Sequence, residues 1–293
     1  MTATTTEPAT RTVDVPGATL TYEVRNNPES TEPPLMLIGS PMGAGGFITL
    51  AGHFPDRTVI TYDPRGADRS TKVDPTSPST PDQHADDLHA IIQAIGGPVD
   101  LFASSGGAVN ALALVARHPA DVRTLVAHEP PLASVLPDRE AAMAATRAVN
   151  RTYMERGGGF GMAHFIASVS HTGEFTPDWA GQPGPDPQMF GMPAMDDGSR
   201  TDVLLAQNMI SCTHYEPDFD ALKRANTRIV LATGEEGVGT MAQRGAYAAA
   251  ERLGSTPQVF PGGHDGFLGG EYGQHGKPEE FAAKLREVLA AAG

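Results

Sequence analysis

Two serines in DLFASSGGAVNALALVARHP, residues 100–119, stand where an apolar strand pattern runs directly into a helical one. A turn this sharp crowds the backbone two residues before and two residues after its apex, so both positions need small side chains. Ala103 and Gly107 meet that need around Ser105. Taking Ser104 as the apex would put Phe102 and Gly106 at the crowded positions, which fits less well. The turn presents the Ser105 hydroxyl at a helix N-terminus, where amide groups and the helix dipole favour developing negative charge. The chemistry open to such a serine is nucleophilic attack.

A nucleophilic serine needs a base from elsewhere in the chain. Of the ten histidines, His264 is best placed, in PGGHDGF, just past the apolar strand pattern TPQVF and before the terminal helix. Glycines on both sides allow a tight loop that projects the imidazole over the edge of a sheet. His275 comes second, in a polar loop with no strand feeding it. His53, His84, His89, His118, His128, His164, His171 and His214 are read as structural or surface groups. No HExxH or comparable metal spacing occurs among them.

The base needs a carboxylate to orient it, and two slots are open. One follows TRIVLAT (227–233), where Gly234-Glu235-Glu236-Gly237 offers Glu235 or Glu236 but places glycine where the acid usually stands. The other ends RTLVAHE (123–129) at Glu129, ahead of two prolines that fix the chain's exit. A buried, rigid Glu129 suits a carboxylate that orients an imidazole and stabilises its cation, so it is preferred, with Glu235 and Glu236 as alternatives. The loop Gly39-Ser40-Pro41-Met42-Gly43-Ala44-Gly45-Gly46 has neither a Lys-Ser/Thr pair nor a helix-opening GxGxxG for phosphate. It suits an oxyanion loop better. Pro41 has no N–H, so the expected donors are the amides of Gly106 and Met42, with Ser40 as the alternative to Met42.

Positioning these groups requires alternating strands and helices. Strand patterns cover 11–16, 19–25, 34–40, 57–64, 99–103, 123–129, 227–233 and 256–260. Thr80-Pro81-Asp82-Gln83 opens a helix with an N-cap hydroxyl, a first-turn proline and a capping glutamine. Ala85, Leu88, Ile91, Ile92 and Ile95 form its apolar stripe, and Gly96-Gly97 ends it. The rhythm predicts an α/β fold with a mostly parallel sheet flanked by helices. Residues 134–213 break it, starting helical and then becoming Gly/Pro-rich, and are read as a mainly helical cap inserted in a core of 11–133 and 214–293. Within the cap, Met162, Phe165, Trp179, Met189 and Phe190 are the expected substrate-binding side chains. Residues 1–10 are read as a loose tail.

Composition narrows the function classes. The 293 residues are 40% hydrophobic and 19% charged, which is globular rather than disordered. With Lys+Arg 21 against Asp+Glu 35, the net charge of −14 argues against nucleic acid or an anionic membrane as partner. Cys212 is the only cysteine, so no intramolecular disulfide or thiolate zinc cluster can form. No run reaches the length of a membrane span and the N-terminus lacks a secretory signal, so a cytoplasmic monomer or homodimer is expected.

With Ser105, His264 and the small-residue loop in place, the chain resembles the α/β-hydrolases over all but its tail. Asp63-Pro64-Arg65-Gly66 through Arg69-Ser70 is similar to that family's DxRGxGxS turn, with Asp68 where glycine is usual. The resemblance implies an eight-stranded sheet, a catalytic triad and no metal or cofactor. GSPM, ASSGG and HEPP together resemble a bacterial branch that includes serine-dependent macrolide esterases. The place of Glu129 is similar to that of the acid in zearalenone-type lactonases. The implied activity is hydrolysis of a carboxylic ester or lactone in a bulky apolar small molecule. A C–C hydrolase, a perhydrolase or a catalytically silent ligand-binding protein on the same fold is the alternative.

Overall fold

The computed structural model describes residues 7–291. Its sheet runs in the order β1-β2-β4-β3-β6-β7-β8-β9. These strands are β1 (Ala9–Val15), β2 (Ala18–Arg25), β3 (Leu35–Ile38), β4 (Val59–Tyr62), β6 (Val99–Ser104), β7 (Val122–His128), β8 (Arg228–Gly234) and β9 (Gln258–Phe260). The ninth strand, β5 (Thr71–Lys72), pairs with β2. The eight expected strands thus form the main path. The addition is two residues long, too short to carry an alternation pattern. β1, β2 and β4 pair antiparallel, and every pair from β4 to β9 is parallel. β1 begins at Ala9, two residues before its expected start, so the strand takes in the end of the supposed tail. Residues 1–6 of that tail lie outside the described residues.

β3, β4 and β6 are buried along their whole length, as strands covered on both faces must be. A short α1 (Ile48–Gly52) follows the loop after β3. Over one face lies α2 (Pro81–Ile95), whose Thr80 and Gln83 cap each other reciprocally and whose exit glycine, Gly96, takes φ +81°. Beside it runs α3 (Gly106–Arg117), buried through its first ten residues. Leu88, Ile91, Ile92, Val109 and Leu112 share the apolar cluster between these helices and the sheet. The other face carries Phe47, Phe102, Phe260, Phe267 and Phe281.

Residues 134–213 contain α4 (Arg139–Arg156), α5 (Gly158–Val169), two 3₁₀ turns, a π-helical segment (Val203–Asn208) and α6 (Met209–Thr213). α5 falls in the stretch whose glycines suggested irregular chain. Those glycines serve close packing instead: a Cβ on Gly161 would sit 2.6 Å from Tyr153 Cβ, and one on Gly159 would overlap Pro193 O. α7 (Phe219–Arg224), α8 (Met241–Leu253) and α9 (Pro278–Ala290) complete the chain. Asp138, ahead of α4, forms an ion pair with Arg244 on α8 and accepts from the Phe175 amide at 2.7 Å, tying this segment to the layer below.

Candidate active site

The C-terminal ends of β3, β6, β7, β8 and β9 open on one edge of the sheet, and the loops leaving them surround a cavity of about 400 Å³. Open parallel sheets place their ligand sites at this edge. Ser105, Glu129, His264, Ser40, Met42 and Gly106 all line it.

Ser105 holds φ +57° and ψ −128°, a conformation rare for a residue with a side chain. Such strain costs on the order of 1–3 kcal/mol and persists only where the surroundings enforce it. Here the Ser105 amide donates to His128 O at 2.9 Å, while its carbonyl accepts from Ala108 at 2.9 Å and Val109 at 3.3 Å. Crowding explains the small neighbours. A Cβ on Gly107 would lie 2.8 Å from Gly39 Cα, and one on Gly106 would lie 2.6 Å from Ser40 O. Ala103, fully buried in β6, occupies the other tight position. The β3 loop is thereby pressed against the start of α3. Among the described residues, the amides of Met42 and Gly106 donate to no other backbone group.

Asp63 fixes the far side of that loop. It accepts from the Ala44 amide at 2.9 Å and binds Arg69 Nε at 2.6 Å. Arg65 from the same turn forms a buried pair with Asp87 on α2. Asp68 adopts φ +45°, the left-handed geometry for which glycine is the usual residue. The DPRGADRS turn is a scaffold behind the cavity.

Glu129 is 2% exposed and, like Ser105, has positive φ, +49°. Its amide donates to Ala232 O at 2.9 Å, and its Oε1 accepts from the Gly234 amide at 2.9 Å. Its Oε2 lies 2.6 Å from His264 Nδ1. Burial opposes the charge on Glu129, but the His264 hydrogen bond, nearby imidazoles and the Gly234 amide outweigh it and hold the carboxyl below its ordinary range. Burial likewise opposes an imidazolium at His264, and the Glu129 hydrogen bond and charge, with the charge of Asp265 beside it, overcome it, raising the imidazole's pKa. An ionised carboxylate can only accept, so Nδ1 carries the proton and Nε2 is left as the basic nitrogen.

Glu235 and Glu236 are exposed and do not line the cavity. Both bind Lys277, at 2.5 and 3.1 Å, and Glu235 also accepts from the Gly262 amide at 3.3 Å. His275 pairs with Gly269 in an isolated bridge and does not line the cavity. His128, ahead of Glu129, is fully buried, with neither ring nitrogen hydrogen-bonded, and desolvation pushes its pKa down to about 4. It fills space as a neutral ring. Cys212 lines the cavity beside α3, and burial pushes its thiol up to about 12, which keeps it protonated and unreactive.

Among the described residues, His89, His118 and Asp121 bring three metal-ligand atoms within 4.8 Å of one another. His89 is on α2, and His118 and Asp121 follow the C-terminal end of α3, the end opposite Ser105. His89 already binds Asp121, His118 binds Asp86, and the two rings stack 4.0 Å apart, so both imidazoles are engaged by carboxylates.

A protein-family model described as the alpha/beta hydrolase fold matches residues 33–188. The chain belongs to the alpha/beta hydrolase family. It is 29% identical over 295 residues, covering 95% of each chain, to YraK, an uncharacterized hydrolase of Bacillus subtilis. Among solved structures, a putative aryl esterase from Burkholderia cenocepacia superposes with TM-score 0.64 at 18% identity, over 96% of this chain and 98% of that one. An enol-lactonase from Burkholderia xenovorans superposes with TM-score 0.65 at 16% identity, over 96% and 100%. As an alpha/beta hydrolase, the chain has its strand-end loops where the family's fold puts them.

Four of the five expected substrate-binding residues do not reach the cavity; Phe165 does. Trp179 packs against His164 and Phe175, and Met162 joins the cluster around Tyr153 and Leu205. Met189 and Phe190 face outward, 77% and 42% exposed, because the 3₁₀ turn that carries them lies on the outer side of α5. The wall is built instead by Pro131, Val169, Leu204, Met209 and Met241. No local pattern in the sequence separates these from ordinary core residues. No helix among the described residues is long and apolar enough to cross a membrane.

Proposed function

We propose that the protein is a serine hydrolase that cleaves a carboxylic ester or lactone of a bulky, apolar small molecule through an acyl-enzyme. The observation that carries this reading is the bond from His264 Nδ1 to the buried, ionised Glu129, at a cavity that Ser105 also lines.

In this mechanism Nε2 of His264 removes the Ser105 proton as Oγ attacks the substrate carbonyl carbon. The carbonyl oxygen gains the charge and accepts hydrogen bonds from the amides of Gly106 and Met42, with Ser40 as the alternative donor. The imidazolium, stabilised by Glu129, gives its proton to the departing alkoxide oxygen, leaving the acyl group on Ser105. A water then enters, loses a proton to the same nitrogen and attacks the acyl carbon. Collapse of that intermediate returns the proton to Ser105 and frees the acid. None of these steps calls on a cofactor.

The apolar wall of Phe165, Val169, Leu204, Met209 and Met241 supports a hydrocarbon-rich substrate. A cavity of about 400 Å³ suits one arm of a large ester, with the remainder outside the mouth. The test is turnover of p-nitrophenyl hexanoate by wild type and by Ser105→Ala. Steady release of nitrophenol by wild type, abolished in the variant, is expected. Tight binding of the ester without release would favour a silent binding protein. Equal turnover by both proteins would overturn the serine mechanism.

A further inference from the structure

The charges around the cavity are one-sided. Among the described residues, besides Glu129, which is bonded to His264, the one carboxylate lining it is Asp265, and no lysine or arginine lines it. Asp265 is exposed and, among the described residues, its carboxylate makes neither a salt bridge nor a hydrogen bond, whereas Glu235 and Glu236 in the neighbouring loop are tied to Lys277. The cation nearest this loop in sequence is thus already engaged by two acids.

Away from the Ser105 end, where among the described residues the Ser40 hydroxyl and the Met42 and Gly106 amides stay unpaired, four polar side chains of the wall are committed. Thr146 Oγ1 pairs with His214 Nε2 at 2.8 Å, and Ser168 Oγ donates to Phe165 O at 2.7 Å. Thr213 Oγ1 donates to Met209 O at 2.8 Å. Asn208 spends its carbonyl on His84 at 2.8 Å and its amino group on Val203 O at 2.9 Å. A charged group lodged against these four side chains finds no free partner among them and must shed its water, which is costly for either sign.

We infer that the site selects its substrates by charge: uncharged, hydrocarbon-rich esters bind best, and Asp265 at the rim favours cationic over anionic ones. This rests on the acyl-transfer reading above. An anionic ester meets both the buried-charge penalty and the unpaired Asp265, and the net charge of −14 slows its encounter further. A cationic ester meets the same penalty with an attraction at the mouth. The change in the cation-to-anion ratio on substituting Asp265 therefore isolates that residue from burial and from the overall charge.

Three p-nitrophenyl esters of matched length make the test: the hexanoate, the ω-trimethylammoniohexanoate and the monoester of adipic acid. For wild type the expected order of kcat/KM is neutral, then cationic, then anionic, with about tenfold or more between the last two at low salt. Asp265→Asn should lower that ratio several-fold and Asp265→Lys should lower it further. Added salt should narrow it in wild type. Anionic turnover equal to cationic in wild type overturns the inference alone, as does a ratio unmoved in both variants. No turnover of any of the three esters overturns the inference together with the reading it rests on.

Discussion

Two neighbouring strands of this sheet end in glutamates, and they behave differently. After β7, Glu129 is sunk beneath the loops, held by the Gly234 amide and bonded to His264. After β8, Glu235 and Glu236 lie in solvent and share Lys277. The loop after β8 is the one in which the sequence pattern usually puts an acid, yet here that position is Gly237 and the two glutamates before it carry surface ion pairs, of a kind worth little to stability. What distinguishes the two is desolvation and convergence. A buried carboxylate with two donors aimed at it orients an imidazole, while an exposed one paired with a flexible lysine does not.

The largest test of that contrast is kinetic. Glu129→Gln keeps the shape but can present its amide to Nδ1, and should lower kcat by about four orders of magnitude. Glu235→Gln and Glu236→Gln should stay within about twofold, measured on the same neutral ester. Catalysis needs neutral His264, so the rate should rise with pH through its raised pKa. In Glu129→Gln the residual activity should show that limb moved to lower pH, because the hydrogen bond and charge that raise the pKa are gone. A drop of comparable size in Glu235→Gln would place the acid on β8.

Desolvation after β7 can be read from acid stability. His128 has its folded pKa depressed to about 4 from an ordinary 6.5. The unfolded chain therefore binds a proton there that the folded one refuses, and stability falls as pH drops from about 6.5 to about 4. The loss is on the order of 3 kcal/mol. Glu129, with its folded pKa lowered, loses its contribution in the same direction as pH falls through that value. His264, with its folded pKa raised, contributes below its unfolded pKa and loses this as pH rises through the folded one. In urea titrations across this range His128→Phe should flatten the acid loss; an unchanged slope would mean the site after β7 is wetter than described.

A smaller effect is expected at the neighbouring turn. Gly107→Ala would drive a methyl to 2.8 Å from Gly39 Cα, and should cost about 1–3 kcal/mol in urea denaturation. Smallest of all, Met189→Ser and Phe190→Ser should change kcat/KM by less than about twofold. Leu204→Ala, which removes part of the wall, should lose about tenfold with the neutral ester.

How much of this was legible in the sequence follows from how local each constraint is. Ala103, Ser105 and Gly107 form a local small-serine-small pattern, and the strand-ending position of Glu129 follows from the apolar run before it, so both could be read directly, although the contact that demands Gly107 is with Gly39 of the β3 loop. The preference for Glu129 over Glu235 rested on its prolines and strand, and the fold adds the Gly234 and Ala232 contacts that no pattern encodes. α5 was hidden because glycines that allow Tyr153 and Pro193 to approach look the same as glycines that break a helix. The cavity wall was hidden for a different reason. Leu204, Met209 and Met241 converge from segments far apart in the chain, whereas Met189 and Phe190, apolar in type, face water. Asp265 stood in full view beside His264, but only the absence of a partner among the described residues gives it meaning.

The central claim is that the hydroxyl at Ser105 is the activated nucleophile. Incubating the protein with a fluorophosphonate and mapping the adduct by peptide mass spectrometry tests it most directly. The expected result is a single adduct on Ser105, lost in Ser105→Ala and formed far more slowly in Glu129→Gln. An adduct on Ser104, or none at all on a folded protein, would contradict it.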